Sequence, residues 1–156
     1  MKSTHHLCAF AAIVCVMFFS CASGPEERID SVYVMVYGEE NTEIMGATVY
    51  LDGKSLGSTD IYGRFTFPYG DGGDEEHRLR VEKSGYEAVT SKCPLRGGQV
   101  VYFNMRSGAG YAKKAEKCVD EGNLEMAGNL IDKALRIEER KDWRFLKDVI
   151  EERMEK

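Results

Sequence analysis

The hydrophobic positions fall into three regimes along the chain. Residues 7–19 form an unbroken, uncharged apolar run. Residues 29–105 alternate. Val32, Val34 and Val36 interleave with Tyr33, Met35 and Tyr37, and Ala47, Val49 and Leu51 with Thr48 and Tyr50. This is the period-two signature of strands with two distinct faces. Asp52-Gly53 predicts a tight primed turn, because it supplies positive φ cheaply, with a return strand through Leu56 toward Thr59. Asp60-Ile61-Tyr62-Gly63 predicts a further turn, after which Phe65 and Phe67 resume the alternation. The glycine- and acid-rich residues 68–76 predict a loop. Leu79 and Val81 mark a strand with Arg78, Arg80 and Glu82 outward, and Ser84-Gly85-Tyr86 a turn. Residues 88–92 predict a weak strand broken by Pro94 and Gly97-Gly98, and residues 100–105 a last one.

After Arg106 the period changes to that of a helix. Ser107 is placed to cap a helix carrying Tyr111, Ala115, Cys118 and Val119 on one face. Gly122 is placed to end it and Asn123 to cap the next. That second helix has an apolar stripe of Leu124, Ala127, Leu130, Ile131, Ala134 and Leu135. A third starts near Asp142, with Trp143, Leu146, Ile150 and Met154 along one face. Strands first and helices after predict an α+β protein: a small antiparallel β-sandwich of about seven strands over residues 29–105, then a three-helix segment over residues 107–156.

The N-terminal run changes what counts as the folded chain. Its 13 residues are too few to span a bilayer, which takes roughly 20, but match a signal-peptide core of roughly 7–15. Its end, Ser20-Cys21 followed by Ala22, Ser23 and Gly24, resembles a bacterial lipobox, with Phe18 standing where an aliphatic residue is usual. The resemblance implies a signal peptide over residues 1–20, acylation of Cys21 as the new N-terminus, and a tether over residues 21–28. It further implies a membrane partner for the acylated Cys21. Ala22, in place of an acidic residue, points to the outer membrane of a two-membrane bacterium. Cleavage after Ala22 and a retained anchor are the alternatives.

The full chain of 156 residues has a net charge of −5. Removing residues 1–20 takes away one lysine and no acid, so −5 becomes −6. An acidic chain lacks the footprint for sequence-independent nucleic-acid binding. Of five cysteines, Cys8 and Cys15 leave with the signal, Cys21 is the acylation site, and Cys93 and Cys118 remain. They are either a disulfide between the two segments or two independent buried thiols.

Two module resemblances follow. Gly46-Ala47-Thr48-Val49-Tyr50-Leu51-Asp52-Gly53-Lys54 and Lys83-Ser84-Gly85-Tyr86 resemble PEGA modules. Thr59-Asp60 with Gly63-Arg64-Phe65 resembles the carboxypeptidase regulatory-like family. Such modules bind, space or present other domains and are not hydrolases. Tyr111, Ala115, Gly122, Ala127, Ala134 and Leu135 fall at the packing positions of one tetratricopeptide repeat, with Glu139 where a proline usually stands and Lys114 where a leucine does. A single repeat cannot bury its own hydrophobic face, so the helices are expected to pack on the sandwich, cap themselves or meet a partner.

No catalytic set emerges. Gly53-Lys54-Ser55-Leu56-Gly57 fits G-x-S-x-G, but within a hairpin and not at a strand-to-helix turn. His77 has no H-x-x-E partner, so zinc-peptidase chemistry is excluded. Asp71, Asp74, Glu75 and Glu76 are a weak Ca²⁺ candidate without EF-hand spacing; a solvated loop is the simpler reading, and no cofactor is expected. Tyr33, Tyr37 and Tyr50 are candidate binding aromatics. The sequence thus predicts a non-enzymatic, membrane-anchored envelope lipoprotein acting as a binding, spacer or assembly module, meeting an envelope protein or cell-wall glycan. A carbohydrate- or peptidoglycan-binding module is the alternative, and a hydrolase the second.

Overall fold

The computed structural model describes residues 30–70 and 73–156. Cys21, the apolar run, the tether and Asp71 lie outside them. Seven strands precede three helices: β1 (Ser31–Tyr37), β2 (Thr48–Leu51), β3 (Lys54–Ser58), β4 (Arg64–Pro68), β5 (Glu76–Glu82), β6 (Val89–Pro94) and β7 (Val100–Asn104), then α1 (Gly108–Asp120), α2 (Leu124–Ile137) and α3 (Lys141–Met154). The α+β architecture is as the patterning predicts. The strands form a three-stranded sheet, β4-β1-β7, and a four-stranded sheet, β3-β2-β5-β6. The residues that alternate inward fill the space between them: Val32, Val34, Val36, Val49, Leu79 and Val81 are all fully buried.

One pairing departs from the expected antiparallel sandwich. β1 and β7 are parallel, in the register Tyr33↔Val100 to Tyr37↔Asn104. Residue alternation carries no information on strand direction. The chain leaves β1, builds all the other strands, and returns to the same edge running the same way, as a parallel pair requires of its long crossover.

The Asp52-Gly53 hairpin forms as predicted, with φ of 48° and 86° and Leu51 paired to Lys54. Its return strand carries a bulge. Val49 pairs with Gly57 and Tyr50 with Ser55, so Leu56 is the extra residue. Gly57 sits under the Phe65 ring, where a Cβ would come within 2.6 Å of it.

The helices form a second core of Tyr111, Ala112, Ala115, Cys118, Ala127, Ile131, Ala134, Trp143 and Ile150. Ser107 caps α1 by accepting from the Gly110 amide at 2.9 Å, and Asn123 caps α2 through the Met126 amide at 3.2 Å. α3 runs back along α2, tied by Lys147 to Asp132 at 2.7 Å. Trp143 reaches α1, where it lies against the position a side chain on Gly108 would take. Met154 departs from the expected face. It comes level with the first turn of α2, where the partner helix ends, and is 54% exposed. No helix among the described residues is long and apolar enough to cross a membrane.

Candidate functional site

Thr59-Asp60-x-x-Gly63-x-Phe65 builds a corner. The Thr59 hydroxyl, 5% exposed, donates to the Ile44 carbonyl at 2.6 Å and accepts from the Ala47 amide at 2.9 Å. Asp60 Oδ1 accepts from the amides of Tyr62 and Arg64, both at 2.9 Å. The Arg64 amide in particular holds the Asp60 carboxyl below the usual carboxylate range, with the Tyr62 amide adding to it. Gly63 has φ of 69°, and a Cβ there would overlap the Val36 carbonyl, so β1 fixes the turn. These residues shape the fold and leave no group free for chemistry.

At the other end of the sandwich three polar side chains line up. His77 Nε2 lies 2.6 Å from the Tyr69 hydroxyl, and Nδ1 lies 2.7 Å from Asp52 Oδ2. Asp52 Oδ1 accepts from the Arg78 amide at 2.8 Å. The His77 hydrogen bond, then that of Arg78, holds the Asp52 carboxyl low. Both imidazole nitrogens are therefore engaged. Ser55 lies across from Tyr50 on the edge strand β3, exposed, and makes no hydrogen bond to His77. The line joins the end of β4 to the β2–β3 hairpin. Asp52 was legible as a turn residue, but nothing along the chain signalled its contact with His77.

A second concave feature lies at the junction of the two cores. Glu39, in a 3-10 turn (Glu39–Asn41) after β1, accepts from the Ser107 amide at 2.9 Å, and its oxygens lie 3.3 and 3.4 Å from the Ser107 hydroxyl. α1 has no acid in its own first turn, so this carboxylate, 68 residues away, supplies the negative charge that a helix N-terminus favours. The Tyr111 hydroxyl donates to Glu87 at 2.5 Å, and the Gly108 amide to the Gly85 carbonyl at 2.9 Å. Burial pushes the Tyr111 hydroxyl pKa up, and Glu87 adds to it. Beside this clasp lies a cleft of about 570 Å³ between the 3-10 turn and α1.

Residues 41–107 match the PEGA domain. The PEGA match covers β2 to β7 and ends at the Ser107 cap, so β1 and the three helices lie outside it. No curated protein matches the sequence. Among solved structures, a cohesin–X-dockerin complex from Acetivibrio cellulolyticus is 17% identical over 51% of this chain and 58% of its own, with a TM-score of 0.36. The shaft pilin of Lactobacillus rhamnosus GG is 16% identical over 50% and 47%, at 0.34. A 3-chlorocatechol 1,2-dioxygenase from Rhodococcus opacus 1CP is 12% identical over 54% and 62%, at 0.38. The matched part of this chain spans less than two thirds of each.

The PEGA segment and its neighbours disperse most of the candidates read from sequence. Tyr33 and Tyr37 share the outer face of β1 with Tyr102 of β7, which is 69% exposed. Tyr50 belongs to the outer face of the opposite sheet, beside Arg80. Asp74 pairs with Arg96 at 3.0 Å, Glu75 is exposed, and Glu76 opens β5. Among the described residues no three His, Cys, Asp or Glu side chains gather to hold a metal. The disulfide reading needs correction. Cys93 packs against the sandwich core and Cys118 is buried in the helical core, each as a free thiol.

Proposed function

We propose that this protein is a membrane-anchored envelope lipoprotein whose sandwich is a non-enzymatic spacer and binding module, presenting the helical segment away from the membrane. The parallel pairing of β1 and β7 supports this reading. Both strands run from the end where the chain enters the sandwich to the end where it leaves. The entry at Ser31 and the exit at Asn104 therefore lie at opposite poles, about 20 Å apart for a seven-residue strand. Residues 22–30 reach at most roughly 30 Å when fully extended, so an anchor at Cys21 holds the entry pole within that distance of the bilayer, while the helices leave from the far pole. The helical segment is then one tetratricopeptide-like unit, its hairpin covered on one side by α3. Ala22 after the acylated cysteine favours the outer membrane.

Palmitate incorporation in the native host tests the anchor. Wild type is expected to take up label and Cys21→Ala to take up none; equal labelling of both dismisses it. A second reading, binding of cell-wall glycan, draws support from Tyr33, Tyr37 and Tyr102 on one exposed face. Retention on purified cell wall at low salt, lost in Tyr33→Ala/Tyr102→Ala, is its expected outcome.

A further inference from the structure

In an acidic chain, the junction cleft is cationic. Its wall on the α1 side carries Lys113, Lys114 and Lys117, and Arg106 enters it from the connection after β7. Lys113 and Lys117 are four apart on one helix face, where like charges repel. Lys113 and Lys114 make no ion pair among the described residues, and the Lys117 contact with Glu121 is long, at 3.6 Å between two exposed groups. Two acids, Glu39 and Glu40, face four cations across the cleft, and Glu39 is already bonded to Ser107, so the cleft keeps a net positive charge.

The opposite wall is built under constraint. Glu40 and Asn41 have successive φ values of 58° and 57°, a left-handed conformation that ordinary residues seldom adopt. It brings the 3-10 turn against α1, at Gly110, whose missing side chain makes room for the Glu39 carboxylate. The cations do not converge on a point. Lys113 and Lys117 are one helical turn apart, about 6 Å of rise. The first α1 amides do not form a free anion cradle, since Ser107 and Glu39 already occupy that end. A compact phosphate is poorly served by this layout. Carboxylates spaced along a chain are well served, and the Asn41 and Asn104 amides, which also line the cleft, each offer a donor and an acceptor for a peptide main chain.

We propose that this cleft is a docking site for an acidic, Asp/Glu-rich peptide segment of a protein partner. The charge complementarity stands whether or not Cys21 is acylated.

Fluorescence anisotropy of a short labelled Glu/Asp peptide, titrated with the full-length chain in nonionic detergent, tests this. The acidic peptide should bind, its Gln/Asn counterpart should not, and affinity should fall as salt rises. Lys113→Gln/Lys114→Gln/Lys117→Gln should weaken binding about tenfold or more, about 1.4 kcal/mol. Lys113→Arg/Lys114→Arg/Lys117→Arg should retain binding. Arg78→Gln/Lys92→Gln, a cationic pair on the outer face of the four-stranded sheet, should leave it unchanged. The exposed lysines are expected to leave the circular dichroism spectrum unaltered in every variant. Equal affinity in the glutamine variant overturns the proposal, as does equal loss in the sheet-face control. Tighter binding of oligogalacturonate than of the peptide overturns it in favour of a glycan. Lysine-dependent self-association without peptide binding overturns it in favour of a second copy of this chain.

Discussion

A single buried hydroxyl shows how the sandwich motif earns its residues. Thr59 satisfies the Ala47 amide and the Ile44 carbonyl at once. Thr59→Val keeps the shape and orphans both groups, each worth about 1–3 kcal/mol when buried unpaired. Urea unfolding should show a loss of about 2–4 kcal/mol, and Thr59→Ser should recover most of it; equal losses would assign the effect to packing. The Thr-Asp-x-x-Gly-x-Phe spelling was legible, but its cause was not, because Ile44 and Ala47 meet Thr59 only once β2 has turned back. Aspartates give a second residue-scale test. Asp52 is held low first by His77 and Asp60 first by the Arg64 amide, so both release their protons at lower pH folded than unfolded. Between those two values the unfolded chain binds more protons, and stability rises with pH there and is flat above. Urea midpoints should therefore hold steady at neutral pH and fall as pH drops below about 4. Asp52→Asn should be less stable at neutral pH and decline less steeply in acid. An acid limb as steep as that of wild type would remove Asp52 from this role.

At the scale of elements, periodicity and turn residues together located all seven strands and all three helices; β1 and β5 carry an alternating buried face, whereas the edge strand β3 has no buried residue and was marked by the Asp52-Gly53 turn. Pairing partners and directions were less legible. The Asp52-Gly53 hairpin could be assigned because two residues dictate both turn and pairing. The parallel return of β7 could not, since a long crossover leaves no local mark. The same distinction separates the helices from the sandwich: they have their own stripe and their own core. Trp143 is the residue that closes it, buried at 6% exposure against Gly108 and covered by the Arg140 guanidinium at 4.7 Å from its ring. Trp143→Ala should cost about 3–5 kcal/mol, felt by one core more than the other. Hydrogen exchange should show lost protection in α3 and α2, with β1 and β5 amides unchanged. Uniform loss across both would mean that the two cores unfold as one unit.

At the scale of the whole molecule, two apolar cores meet through polar groups: Glu39 with Ser107, Glu87 with Tyr111, and Gly85 with Gly108. The clasp and the cleft beside it were invisible in the sequence because each joins residues far apart in the chain, and only α1's lack of a first-turn acid hinted that a charge comes from elsewhere. The anchored arrangement makes a demand on this geometry that can be measured with the chain's single tryptophan. Trp143 lies on α3, beyond the exit pole of the sandwich, while Cys21 precedes the entry pole. If β1 stands between them, acylated protein reconstituted in vesicles should show no quenching of Trp143 by lipids brominated on their acyl chains, with or without anionic headgroups. A molecule lying flat on its Tyr33–Tyr102 face would bring α3 toward the bilayer and quench it. Tyr33→Ala/Tyr102→Ala should leave the unquenched signal as it is in the upright arrangement and relieve quenching in the flat one, so the spacer and the aromatic-face orientations give opposite outcomes.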